Sequence, residues 1–440
     1  MSIQLKAGYG KVDVTPSFSV PMAGYGNAEQ RMHNNVLDPI YVVCVAIGDG
    51  ENTLLLYHMD FTAVWDDQVE DYRKRLWEKY RIPGENILLN TTHTHSAPAV
   101  QSKMECMVEY KKFLAQKVVE AASLAIADLA EASLEIGSGQ VLGVNFVRRY
   151  LLSDGTYGGD NFGDFENNTI VSHETEADHT MQAVRLVRNE KKDIVLVNWQ
   201  GHPHRTGGSK RYDLSSDLIE YFRNTVEEEH GVLFSFYQGC GGNINHHSRI
   251  PEEQIWLSHV EVGKKLAEGI RPILGNMRPV KAGKIRTAMK MFTGPVNHDW
   301  DGRVEDAEKV VKVWKEISGR EGKQLALSLG FHSVYHANAV IKRSKMPDTH
   351  SYNIGSVAIG DLCFVWAPNE LYDTTGMYLK AASPFEMTFV MGYTNGSHGY
   401  MPTRKAFAHG GYGCDNCRFG AGVTEQLTQE LLDLIVEVKE

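Results

Sequence analysis

The segment Thr92-His93-Thr94-His95-Ser96 places two imidazoles two residues apart. In an extended stretch, residues at that spacing point to one face, so both rings can look into one cavity. His202-Pro203-His204 repeats the spacing further on, with Pro203 making the local conformation less regular. Neutral imidazole is the commonest metal ligand, and carboxylates complete many hydrolytic zinc sites. The chemistry these residues suit is polarisation of a carbonyl and activation of water.

Such residues need elements to bring them together. Short apolar runs alternate with amphipathic stretches, the pattern of a layered α/β fold with a central mixed β-sheet flanked by helices. Strands are expected at 41–47, 53–57, 87–90, 194–198, 233–237, 362–366 and 387–390. Helices are expected at 69–80, at 110–129 and at 217–229, the last with Ser215 or Ser216 as N-cap. An apolar stripe from Val423 to Val438 reads as a helix packed on the sheet. The chain reads as one catalytic domain over 1–440, with a small insertion or subdomain about 283–344.

Six apolar runs end in polar or glycine-rich clusters: His58-Met59-Asp60, Thr91 to Ser96, Gly201 to Arg205, Gln238 to Asn245, Pro368-Asn369-Glu370, and Gly392 to Tyr400. Open α/β sheets bind ligands beyond the carboxyl ends of their strands, so one composite site there is the economical expectation. Gly239–Gly242 lacks the Gly-Lys-Ser/Thr ending of a P-loop. Cys240 within it reads as a small buried residue, with a thiol nucleophile as the competing role. Cys414 and Cys417 have CxxC spacing but no second pair, and read as ordinary thiols.

Composition narrows the function classes. The 440 residues carry 45 Lys plus Arg and 55 Asp plus Glu, a net charge of −10. With no basic block, nucleic acid and anionic membranes are poor partners. No apolar run approaches the ~18 residues of a membrane span. Six cysteines are not a disulfide framework, and with no leader-like start the expected compartment is the cytoplasm. A small polar molecule is the expected partner, and a homo-oligomer is left open.

The histidine motif, followed by Pro98, resembles the THTHSGP motif of neutral ceramidases and their smaller bacterial relatives. Gly8 to Pro16 and Met22 to Gly26 are similar to that family's opening segments. Gly399 to Thr403 with Gly410-Gly411-Tyr412 is similar to its closing tyrosine segment. Only a short stretch follows Tyr412, so the likeness is to a member without the C-terminal β-sandwich. The resemblance implies a zinc site made of His93, His202, Glu370 and Tyr400, with His95 beside the metal and Tyr412 as the second tyrosine. It implies a substrate-binding or catalytic role for Arg148. Asn245 stands where the family carries a serine proposed as catalytic, and Asn243 where it carries an aspartate. An amide is no nucleophile, so a serine mechanism is not expected here.

On these grounds the expected activity is zinc-dependent hydrolysis by activated water. His95, Arg148 and Tyr400 would act in catalysis; Asp60 would orient a ligand histidine or meet substrate, with Arg205, Asn245 and Tyr412 as substrate contacts. The expected substrate is a carbohydrate-derived cyclic lactone or ketone. An N-acyl amide hydrolase of the ceramidase type and a metal-binding protein without catalysis are the alternatives.

Overall fold

Strand Tyr41–Gly48 alternates its side chains between two buried faces. Val42, Cys44 and Ala46 enter one apolar cluster, and Val43, Val45 and Ile47 enter another. Thr53–Met59 does the same, with Leu55 and Tyr57 on the first face and Leu54 and Leu56 on the second. Strands buried on both sides read as continuous apolar runs rather than as alternation. That is why these segments are legible in the sequence and why layers must lie on both sides of them. The structure, a computed structural model, describes residues 4–25, 28–254 and 256–439. Gly26, in the second opening segment, lies outside the described residues.

The central sheet is mixed. Its strands run in the order Leu233–Gln238, Ile194–Trp199, Thr180–Arg188, Ala130–Gln140, Lys6–Asp13, Tyr41–Gly48, Thr53–Met59 and Ile87–Thr91. The pair at each end is parallel and the pairs between are antiparallel. On one face lie helices Asp66–Tyr80 and Glu105–Ala127, whose Val69, Tyr72, Leu76, Leu114 and Val118 join the first cluster. Helices Leu218–His230 and His259–Gly275 cover the strands at the Leu233–Gln238 end through Phe222, Val226, Leu266 and Ile270. The layered α/β expectation therefore holds.

A second sheet stacks on the first. It comprises Ile285–Pro295, Thr349–Ile359, Leu362–Trp366 and Met387–Met391. Phe364, Trp366 and Phe389 share a buried cluster with Leu56, Leu88 and Tyr237 of the first sheet. Helices Asp373–Ala382 and Val423–Glu437 close its outer face through Leu379, Leu427, Leu431 and Leu434. The C-terminal stripe packs there as read. Helices Val304–Glu316, Gly319–Ser328 and Val334–Arg343 fill the connection between Ile285–Pro295 and Thr349–Ile359. They share an apolar cluster of their own around Val310, Phe331 and Val340. Ile285–Pro295 belongs to the sheet rather than to this helical insertion. The cap of Leu218–His230 is Asp217 rather than either serine: its carboxylate accepts the Leu218 N–H at 2.8 Å. Among the described residues no helix is long and apolar enough to cross a membrane.

Two buried asparagines bring strand ends together. The Asn90 amide donates to Gly392 O at 2.7 Å and to Gln238 O at 3.3 Å, and its Oδ1 accepts the Gln238 N–H at 2.8 Å. Asn198 Nδ2 donates to Tyr237 O at 2.9 Å and to Val390 O at 3.3 Å. Four strand ends, those of Ile87–Thr91, Ile194–Trp199, Leu233–Gln238 and Met387–Met391, are thereby pinned to one locality.

Candidate metal centre

The segment after Ile87–Thr91 turns instead of staying extended. His93 has φ +63°, a left-handed conformation unusual for a residue with a Cβ. The two histidines converge because of that turn, not by strand alternation. The flanking hydroxyls fix it from outside: Thr62 Oγ1 donates to Thr94 O at 2.6 Å, Thr94 Oγ1 donates to Ser215 O at 3.0 Å, and Ser96 Oγ lies 2.7 Å from Thr206 Oγ1. The His95 N–H donates to Pro203 O at 2.8 Å, tying this turn to the His202 loop. Gly24, at φ +110°, lies against His95, and a Cβ there would sit 2.5 Å from the His95 Cβ.

His93, His95 and His202 each offer a ring nitrogen within 4.8 Å of the others. Backbone carbonyls set two of the tautomers. Nδ1 of His93 lies 2.8 Å from Thr62 O, and Nδ1 of His202 lies 3.2 Å from Gly241 O. With Nδ1–H donating outward, each Nε2 lone pair is left free, as in metal-ligating histidines. His246 supports this from behind. Its Nδ1–H donates to Val144 O at 2.7 Å, and its Nε2 accepts the His202 N–H at 3.0 Å. Nε2 of His93 lies 3.3 Å from Nε2 of His95. Two nitrogens that close need a proton or a cation between them. Burial, with nearby Arg148 and His204, holds the His93 imidazole down to about 3 and His202 well below its ordinary range, so both rings are neutral donors.

Glu370 completes one side. Its Oε2 lies 3.6 Å from His93 Nε2 and is buried with no hydrogen-bond partner. Burial pushes the Glu370 carboxyl up to about 7, although the Arg148 charge and the Tyr400 hydroxyl pull it back. An orphaned carboxylate facing neutral imidazoles is a donor set suited to a divalent cation. Glu370 comes from the two-residue strand Glu370–Leu371, which pairs in parallel with Tyr400–Met401. Gly242 lies beneath it; a Cβ there would fall 2.4 Å from Glu370 O.

Arg148 reaches the same place from the short strands at 146–152. Its Nη2 donates to Gly242 O at 2.8 Å and to the Tyr400 hydroxyl at 3.3 Å, and its Nη1 lies 3.5 Å from Asp160. Tyr412 packs edge-on against Tyr400, ring centroids 5.7 Å apart. A cleft of about 10 Å³ opens beside Arg148, Asp160, Gly242 and Tyr412, a volume of about one water molecule.

Several expected residues lie elsewhere. Asp60 is fully buried, and its carboxylate is used by the Tyr41 N–H, His58 and Arg223 at 3.0, 2.9 and 3.2 Å. None of these belongs to the histidine group, so the 58–60 cluster is a core network. Arg205 turns away, donating to Leu257 O and lying over the Trp256 ring. Asn245 is buried, and its Oδ1 accepts the backbone N–H of the next residue, His246, at 2.9 Å. Cys240 is buried and its thiol is pushed up to about 12 by burial, which removes the nucleophile reading. His246-His247 reads in the sequence as a possible metal-binding pair whose adjacent residues face opposite ways, which hid the supporting role of His246 behind His202. Sequence reasoning missed Tyr393, whose ring lies 4.3 Å from that of His93. Tyr393 stood in a noted strand-end cluster, and that was its only signal.

The histidine cluster and the chain's family together define a metal-dependent hydrolase. Residues 5–230, a little over half of the chain, match the family described as neutral/alkaline non-lysosomal ceramidase, N-terminal. The chain belongs to that family. Its fold is similar to that in a crystal structure of neutral ceramidase from Pseudomonas aeruginosa, with 17% identity and a TM-score of 0.74, over all of this chain and 75% of that one. A ceramidase complexed with C2 gives 17% identity and 0.73, over all of this chain and 76% of that one. No curated protein matches the chain. Family membership overturns the expected carbohydrate lactone or ketone, and with it the placement in carbohydrate metabolism. It points to hydrolysis of an N-acyl amide instead.

Proposed function

We propose that this protein hydrolyses the amide bond of an N-acylated amine of the ceramide class. His93, His202 and Glu370 would hold a zinc ion, with Tyr400 as a further ligand. The observation that carries the reading is the orphaned Glu370 carboxylate facing neutral His93, beside His95 and His202, in a chain of this family. The chemistry zinc supplies there is Lewis-acid polarisation of the carbonyl and acidification of water.

The chain's own residues do the rest. Arg148, already donating to the Tyr400 hydroxyl, is placed to hold the carbonyl oxygen as it gains negative charge. Water supplies the attacking oxygen, since Asn245, whose amide oxygen accepts the His246 backbone N–H, offers no nucleophile. His95 carries the proton to the departing nitrogen as the C–N bond breaks. Tyr412 flanks the substrate side of Tyr400. The products are a carboxylate and an amine. The test is release of amine from a fluorogenic N-acylsphingosine by protein stripped with chelator and then reloaded with zinc. Activity that disappears on stripping and returns on reloading is expected. A zinc-replete protein that releases no amine would end the proposal.

A further inference from the structure

A second group of metal-ligating side chains lies outside the site above. His332, His336 and Asp415 each offer a donor atom within 4.8 Å of the others. His332 precedes helix Val334–Arg343, whose N-cap is Ser333, and His336 lies in its first turn. The two rings stack with centroids 4.8 Å apart. Asp415 comes from the short helix Tyr412–Asn416. Its Oδ1 lies 2.8 Å from His332 Nδ1 and 4.0 Å from His336 Nδ1.

The other oxygen of that carboxylate carries the argument. Asp415 is 93% buried by its 7% exposure, and Oδ2 has no hydrogen-bond partner. An unpaired carboxylate oxygen in such a place is costly unless a cation answers it. Arg343 does not: its guanidinium donates to the Asp415 and Cys417 carbonyls. Two imidazoles and a carboxylate are a donor set for a borderline divalent transition metal. The exposed His332 leaves the group open to solvent on one side while His336 and Asp415 stay buried.

We infer that His332, His336 and Asp415 form a second metal site, taking a divalent transition-metal ion such as zinc, that clamps the helical insertion to the segment carrying Tyr412. Asp415 and Tyr412 share one short helix, and Tyr335 of the insertion packs edge-on against Tyr412 at 5.6 Å. An ion here acts on the first site only by holding Tyr412 in place. The inference does not depend on the proposed activity.

The test counts metal. Full-length protein is stripped with chelator, dialysed against Zn²⁺ or Co²⁺, and assayed for bound ions per chain. Two ions are expected for the unaltered protein, and one each for His332→Ala and Asp415→Asn. His332 is exposed, so His332→Ala keeps the fold and serves where Asp415→Asn does not. The pair His93→Ala/His202→Ala also keeps one ion, which added His332→Ala removes. If the unaltered protein binds a single ion, the variant that loses it decides: loss in His332→Ala supports the site, and loss confined to the His93/His202 variant overturns it. Unchanged stoichiometry in both His332→Ala and Asp415→Asn overturns it as well, leaving a hydrogen-bonded triad only.

Discussion

Glu370 and Tyr400 are register partners in a parallel ladder only two residues long. The Glu370 N–H also donates to Gly399 O at 2.9 Å. Backbone pairing thus sets the carboxylate and the phenol side by side, whatever their side-chain rotamers do. Arg148 bridges this pair to the glycine loop through Tyr400 and Gly242 O. The proposed roles give distinct expectations for each member.

His93→Ala and His202→Ala should lose the ion of the first site and turnover together, because each removes a donor whose tautomer a carbonyl has preset. His95→Ala should keep that ion and lose ~10²–10⁴ in rate, the usual worth of acid–base help. Metal analysis alongside kinetics separates the two. Loss of metal in His95→Ala would make His95 a ligand instead.

Arg148→Met should retain metal and fold while kcat/KM drops by ~10²–10³, the scale for losing one oxyanion donor. Arg148→Lys should recover little, since a point charge cannot reach both Gly242 O and the Tyr400 hydroxyl. Equal activity in the lysine variant would count against this role.

In metal-free protein, Glu370→Gln should stabilise, and the gain should depend on pH. The folded Glu370 carboxyl is pushed up to about 7 from an ordinary 4.5 by burial. Between those values the folded state binds the extra proton, so the native protein loses stability relative to the variant as pH rises. The gap should be near zero below 4.5 and reach roughly 3 kcal/mol above pH 7. Denaturant melts at several pH values measure it; a gap that is flat with pH would show that Glu370 is not raised. With metal restored, the order should reverse.

Asn90→Ala should cost about 2–4 kcal/mol, since it strands the buried Gln238 N–H and Gly392 O. The loss should appear in urea melts. Turnover should fall as well, since the ends of three strands lose their common tie.

The layers were legible because burial on both faces leaves unbroken apolar runs, as in Leu362–Trp366, whose bounds match those expected. Ala130–Gln140 was not, because its alternate residues face solvent and Gly137 and Gly139 interrupt it. The density of the Thr-His-Thr-His-Ser run pointed to His93 and His95, yet the extended geometry inferred for it is a turn. A positive φ at a histidine leaves no periodic trace. Arg148 came from family resemblance alone; Glu370 and Tyr400 stood in noted strand-end clusters, but their roles came from the resemblance, since two-residue strands carry no pattern. Asp60 misled because a carboxylate after a strand looks the same whether it faces a cleft or a buried arginine. His332 and His336 share helical spacing, but nothing in the sequence links them to Asp415.

The wide separation of the pinned strand ends has a consequence for synthesis. A nascent polypeptide that has left the ribosome only as far as residue 230 carries every histidine of the first group but neither Glu370 nor Tyr400. Assembly of the centre must await nearly the whole message, and a truncated translation product would expose half-built imidazole donors with no carboxylate to complete them.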